Sequence, residues 1–354
     1  MLKPGDRVNS ALTVDRGLGE GAYAEVYRVK HEFLGLQAMK LFKRVASLQE
    51  TREMLGEARL LSKLGHPNIV RLFDANTLLT GEGRRGYFTM EYVAGGSLDR
   101  LVRTHPTSPV PISVAVDAIE QITAALVLAH GRVPSILHRD LTPANVLVGY
   151  EDTGMRVRLS DFGLSKRADP VTQLASAQGT FAFMAPEVRR LEGYSCAGDV
   201  WSLGTIAYLL LTNHYPFHDG GPFDPFPPTG LRDPVMPPSS YNDEVDPELD
   251  RIVLATLERD PRKRTPNARV LARELDERRE VLAVREEGPV VRARPADRVI
   301  PEAEALARRA LALAKHPETL REAADVMEEA MTRSALLREK HLHRLALWRR
   351  GVMM

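Results

Sequence analysis

The sequence predicts an α+β fold, and three observations carry that prediction. Short β-prone runs stop at glycines, as in Tyr87-Phe88-Thr89-Met90-Glu91-Tyr92 ahead of Gly95-Gly96. Leu61 and Leu64 take the spacing of an apolar helix face. Beyond residue 302 the chain turns rich in Ala, Leu, Glu and Arg with helical periodicity. At 354 residues, 44% hydrophobic and 27% charged, it is long enough for a full globular core and for more than one ordinary domain.

Taken in order, Leu18-Gly19-Glu20-Gly21-Ala22-Tyr23-Ala24-Glu25-Val26 reads as a small-residue turn between two strands, where backbone N–H groups can approach an anion. Ala38-Met39-Lys40 follows on a later strand. A helix carrying Glu50, Glu53 and Glu57 ends at His66-Pro67, because the residue before proline is pushed out of the helical region. The strand 87–92 gives way to a turn and a helix at Gly95-Gly96-Ser97-Leu98. Then comes His138-Arg139-Asp140-Leu141-Thr142-Pro143-Ala144-Asn145, followed by the apolar run Val146-Leu147-Val148 and the alternation Val157, Leu159 before Asp161-Phe162-Gly163. Two short strands are expected there, holding the polar groups against one cleft. A carboxylate that aims a hydroxyl, with side-chain oxygens able to hold magnesium, is the apparatus of phosphoryl transfer, a reaction that asks for positioning and charge more than covalent help.

The order of the His-Arg-Asp triplet, the Asn five positions after the Asp and the later Asp-Phe-Gly resembles the eukaryotic-like (Hanks-type) serine/threonine protein kinases. The resemblance implies a two-lobed fold, with a small lobe of antiparallel strands and one helix and a mainly helical large lobe, over residues 5–279. It implies Asp140 as the base, Asn145 and Asp161 as magnesium ligands, and Lys40 on the α and β phosphates of ATP, paired with Glu57. Gly19, Glu20, Gly21, Ala24 and Val26 would cover the phosphates and adenine. Met90 would be the gatekeeper, the backbone of Glu91 and Val93 would read the adenine edge, and Val26, Ala38 and Leu147 would sandwich the ring. Leu61, Leu72, His138 and Phe162 would stack in one column.

Further along, Gly179-Thr180-Phe181-Ala182-Phe183-Met184-Ala185-Pro186-Glu187 resembles the end of a kinase activation loop. By the same resemblance Arg264 makes a buried ion pair with Glu187, and Asp199 organises the catalytic loop. Thr180 would bond the base, whereas Ser176 and Thr172 are candidate phosphorylation sites whose phosphate could pair with Arg139. The implied activity is transfer to serine or threonine of proteins, with autophosphorylation of this loop.

Three departures from the family pattern stand out. Ala24 replaces the third glycine. Thr142 replaces the usual catalytic-loop Lys, which removes one positive charge from the transferred phosphate and would slow chemistry by roughly two orders of magnitude. The alternative reading is therefore a nucleotide-binding pseudokinase or scaffold with weak or no transfer. After Leu211–Phe217 the chain is Pro- and Gly-rich through Pro238 where the family forms a helix, so an irregular loop is expected, with Phe217, Phe223 and Phe226 either packing it down or offering a partner site.

A linker, 280–301, precedes a helical segment over 302–350. Ala305, Leu306, Arg309, Ala310 and Leu313 share one helix face, broken at His316-Pro317, and Glu318 to Trp348 reads as a long second helix. Its basic end, with Leu336, Leu337, Leu342, Leu345, Leu347 and Trp348 interleaved, suits docking on the large lobe, a protein partner, self-association or a membrane surface. Formal net charge of +1 gives no support for nucleic acid as the partner. One cysteine, Cys196, excludes an internal disulfide and fits a reducing compartment. No apolar run long enough to span a bilayer is read in the sequence, so a cytoplasmic location is expected. The Arg-, Ala- and Pro-rich composition points to a bacterial source.

Overall fold

The computed structural model describes residues 1–21, 24–45, 64–151, 154–162, 181–217, 235–286 and 301–353. The chain divides into two compact units, Met1–Val93 with Leu159–Ala177, and Ala94–Arg158 with Gln178–Met354.

The first unit is built on a five-stranded antiparallel sheet of β1 (Leu12–Glu20), β2 (Ala24–His31), β3 (Gly35–Val45), β4 (Leu72–Thr80) and β5 (Gly83–Glu91), ordered β1-β2-β3-β5-β4. Val8, Leu12, Val14, Tyr27, Val29, Met39, Leu41 and Tyr87 form a core on one face of it. Because side chains alternate along a strand, burying Met39 and Leu41 there sends Ala38 and Lys40 to the opposite face. Register places Lys40 across from Val26 on β2 and Phe88 on β5, and Ala38 across from Met90. Leu159 joins this unit through a parallel bridge to Ile69, with Val70 N–H donating to Leu159 O at 2.9 Å. That bridge brings Asp161 and the buried Phe162 into the same unit as Lys40.

The second unit is mainly helical. It comprises α1 (Leu98–Arg103), α2 (Ile112–His130), the hairpin β6 (Val146–Glu151) and β7 (Gly154–Leu159), α3 (Pro186–Arg189), α4 (Cys196–Thr212), α5 (Pro247–Thr256) and α6 (Ala268–Glu286). Helix α4 is buried around its whole circumference, as a helix apolar on every side must be. It stops at Asn213, which takes the left-handed conformation at φ 59°. A side chain at Gly204 would strike Thr256 Oγ1 at 2.0 Å, so glycine sets the close approach of α4 and α5. By length and composition α2 is apolar enough to cross a bilayer, contrary to the sequence reading. Here it packs on α4 and α6, burying Ala115, Ile119, Ile122 and Leu126 as a core helix.

Three further helices, α7 (Pro301–Leu313), α8 (Leu320–Arg333) and α9 (Ala335–Trp348), belong to this unit. The sequence reading expected one long helix from Glu318 to Trp348. Instead Ser334 turns extended (φ −147°, ψ 116°) and its hydroxyl accepts from Leu337 N–H, capping α9. The three helices share a core of Ala310, Ala323, Ala324 and Ala330 around Met327, closed by Leu345 and Trp348. Of the Pro- and Gly-rich stretch, residues 218–234, with Phe223 and Phe226, lie outside the described residues. Phe217 does pack down, stacked on Trp201 with ring centroids 5.3 Å apart.

Candidate active site

In the first unit, β3 presents Lys40, whose Nζ lies 2.7 Å from Asp161 Oδ1. Asp161 sits in the left-handed region at φ 61°, a strained conformation for a non-glycine residue, of the kind that concentrates at functional sites. Glu57, the expected partner of Lys40, lies outside the described residues, as does Leu61. Strands β1 and β2 approach the glycine turn with Gly19 paired to Val26 and Glu20 to Glu25, and Gly21 N–H donates to Ala24 O at 2.8 Å. A methyl added at Gly19 would meet nothing within 4 Å. Ala24, in place of the third glycine, is buried and paired with Phe42 on β3. Ala38, Met90 and Val93 are buried as well, and Glu91 N–H donates to Arg71 O at 2.8 Å.

Behind the glycine turn stands a group that no local pattern announced. Glu25 pairs with Arg85 at 3.1 Å, both nearly buried, Arg85 Nε donates to Phe42 O at 2.6 Å, and Tyr27 hydroxyl donates to Glu25. Burial and the bond to Glu25 push the Tyr27 hydroxyl up to about 12. Burial acts to raise the Glu25 carboxyl, but the Tyr27 and Arg85 hydrogen bonds outweigh it and hold the group below its ordinary value. Glu25 and Arg85 stand 60 positions apart, so only the folded sheet joins them.

In the second unit, Asn145 Nδ2 donates to Asp140 O at 2.7 Å and to Asp140 Oδ2 at 3.0 Å. The amide nitrogen thereby fixes the carboxylate. Arg139 takes φ 68° and stacks on the Tyr194 ring at 5.4 Å. From below, the Asp199 carboxylate accepts from His138 N–H at 2.8 Å and from Arg139 N–H at 2.9 Å, organising the loop as expected. His130 completes this support, with Nε2 3.0 Å from Asp199 Oδ2 and Nδ1 3.3 Å from Ala268 N. It was not singled out from the sequence, since its partner lies 69 positions away and nothing local marks it. Thr142 is 6% exposed at the entry to a short 3-10 turn over Pro143–Asn145. Leu147 follows on β6 and bridges to Ser97.

The expected ion pair is present. Arg264 forms two bonds to Glu187, at 2.7 and 2.9 Å, donates to Ala197 O at 2.9 Å and lies over the Trp201 ring. Near the end of the activation-loop motif, Arg189 Nη2 donates to Phe181 O at 2.6 Å and Nε to Met184 O at 3.0 Å. Thr172, Ser176 and Thr180 lie outside the described residues.

The family model described as "Protein kinase domain" matches residues 12–275. The chain belongs to the protein kinase family. It is 37% identical over 205 residues to calcium/calmodulin-dependent protein kinase type 1 of Caenorhabditis elegans, which covers 57% of this chain and 56% of that one. It is 34% identical over 256 residues to the serine/threonine-protein kinase Pkn1 of Myxococcus xanthus, covering 70% of this chain and 35% of the relative. With PknB of Mycobacterium leprae the figures are 32% over 215 residues, 60% and 33%. The chain thus spans between a third and somewhat over half the length of these curated relatives. Among solved structures, the PknI kinase domain of Mycobacterium tuberculosis superposes with a TM-score of 0.59 at 26% identity, covering 78% of this chain and 99% of that domain. The kinase fold, with its β-sheet first lobe and helical second part, is therefore that of this chain, and helices α7–α9 lie beyond the residues the family model matches.

Proposed function

We propose that this kinase transfers the γ-phosphoryl group of ATP to serine or threonine hydroxyls of proteins, including its own activation loop. The observation that supports this most is the pairing of polar groups within each unit. Lys40 is paired with Asp161, and Asp140 is fixed by Asn145 in a loop held from below by Asp199. In this reading Asp140 orients the acceptor hydroxyl and takes its proton, while Lys40, supported by Glu57, holds the α and β phosphates. Gly19, Glu20, Gly21 and Ala24 cover the phosphates by backbone contact. Val26, Ala38 and Leu147 enclose the adenine, with Met90 behind it and the backbone of Glu91 and Val93 at its edge. The donor set of Asn145 amide oxygen and Asp161 carboxylate suits magnesium, which prefers hard oxygen ligands. When bound, that ion neutralises charge on the phosphates. A phosphate on Ser176 or Thr172 would draw Arg139 from Tyr194 and order the loop. ATP use and a single free thiol fit the cytoplasm.

Thr142 favours the second reading, a nucleotide-binding protein with little transfer, because its hydroxyl cannot supply the missing charge. The two separate in one experiment with radiolabelled ATP, magnesium and acceptor protein. Label should enter protein with the wild-type chain and fall by at least about a thousandfold with Asp140→Asn, while nucleotide affinity stays within a factor of about two. Binding without any label transfer by the wild type would select the scaffold instead.

A further inference from the structure

Helix α9 is buried on two faces, and only one of them belongs to its own bundle. Leu345 and Trp348 close the core made with α7 and α8. Leu347, His343 and Arg344 are also buried, at 1%, 3% and 5% exposure, and they meet the kinase part of the same unit. Tyr150 hydroxyl bonds to His343 Nδ1 at 2.7 Å, the Arg344 guanidinium covers the Tyr150 ring at 4.5 Å, and Arg344 Nη2 donates to Glu151 O at 3.4 Å. All three contacts land on β6, three and four residues beyond Leu147.

The other end of the contact is Gly95. A methyl placed there would fall 2.0 Å from Val148 O and 3.6 Å from Leu347 Cδ1, so β6, the chain leaving the hinge (the segment at the end of β5, Glu91 to Val93, expected at the adenine edge) and α9 converge on one glycine. Val148 N–H donates to Gly96 O at 2.8 Å, and Ser97 bridges Leu147. The short segment Gly95–Ser97 and the strand bearing Leu147 are thus one hydrogen-bonded piece, and α9 closes its outer side. The brace is not packed along its full length. A cavity of about 510 Å³ lies beside the first turns of α9, among Leu336, Lys340, His341 and the residues of α1, α2 and β7.

We infer that α9 is an intramolecular brace for nucleotide binding, with Leu347 and His343 as positioning residues that hold β6 and the hinge exit in the register Leu147 needs to face adenine. The inference rests on the proposed kinase reading, which puts Leu147 and the hinge backbone at the base. A brace of this kind acts on ground-state nucleotide binding and leaves the acceptor side alone. Releasing it therefore changes the affinity for ATP and ADP without changing the affinity for the protein substrate.

The test uses the full chain with Leu347→Ala, His343→Gln and, as the mildest change, Tyr150→Phe, which keeps the ring and removes only the bond to His343. Fluorescent ADP titration gives nucleotide affinity, and steady-state assays give kcat and both KM values. We expect nucleotide dissociation constants and the KM for ATP to rise roughly fivefold or more in Leu347→Ala, and less in Tyr150→Phe, with the acceptor KM unchanged. A fall in kcat at constant KM for ATP would show mere loss of folded protein and overturn the brace. So would unchanged nucleotide affinity in all three variants. A wild-type chain that binds no nucleotide in the presence of magnesium would instead refute the kinase reading on which the brace depends.

Discussion

At the scale of single residues, Thr142 carries the sharpest consequence. Its hydroxyl can donate one hydrogen bond but no charge, and in the proposed reaction charge on the transferred group is stabilised by fixed donors. Thr142→Lys should raise kcat roughly ten- to a hundredfold with little change in the KM for ATP, measured by steady-state transfer to an acceptor peptide. A second residue-scale expectation concerns Glu187 and Arg264, both almost wholly buried and joined by two bonds. Arg264→Met alone strands a carboxylate in low dielectric and should cost about 3–5 kcal/mol in urea unfolding. Adding Glu187→Leu should recover a good part of that, because the stranded charge is then gone. These two residues and Asp199 were legible in the sequence because each sits inside a motif with fixed spacing. His130 and the Glu25–Arg85 pair were not. Their partners lie 69 and 60 positions away, and a lone histidine or glutamate carries no mark of the partner it will meet.

At the scale of elements, six of the seven described strands and the catalytic turn were readable from β-prone runs and glycine stops, whereas β4 (Leu72–Thr80), whose residues alternate between partly buried and exposed, was not singled out. The division of the last stretch into α8 and α9 was not. The helical periodicity runs through Arg333, Ser334 and Ala335 without proline or glycine, and the interruption comes from a serine that turns extended and caps the next helix. The docking of α9 has a pH signature. Burial, then Arg344 and Lys340, lowers His341 to about 4, and burial, then Arg100, His105 and Arg350, lowers His343 to about 4. Tyr150, raised by its own burial, keeps its proton and donates to His343 Nδ1, which a protonated imidazole cannot accept. Both histidines therefore prefer to be neutral when docked and titrate near 6.5 when released. Docking is at full strength above about pH 6.5 and weakens as pH falls toward 4, by on the order of 3 kcal/mol per histidine at the low end. Hydrogen-exchange protection over residues 335–348, taken relative to the intrinsic exchange rate at each pH, should thus fall between pH 7.5 and pH 5, while α4 stays protected. His341→Gln with His343→Gln should flatten that dependence.

At the scale of the whole molecule, Lys40 and Asp161 belong to the first unit and Asp140 and Asn145 to the second. Anything that binds the folded chain alone stabilises it by mass action, by about 2.7 kcal/mol when present at a hundred times its dissociation constant. For units of this size that corresponds to a rise in Tm of roughly 5 °C or more. The wild-type chain with ATP and magnesium should show this shift in a thermal melt, and Asp140→Asn should show it undiminished, because the base is needed for transfer and not for binding. Asp161→Asn should lose most of it by removing the charged oxygen donor proposed for the metal, and chelating magnesium should have the same effect on the wild type. Lys40→Met should lose it whether or not magnesium is present, since the phosphates then lack their fixed cation. A shift that survives Lys40→Met, Asp161→Asn and chelation alike would mean that nucleotide binds elsewhere on the chain. The proposed roles of these groups in nucleotide binding would then be wrong, even though the fold is that of a kinase.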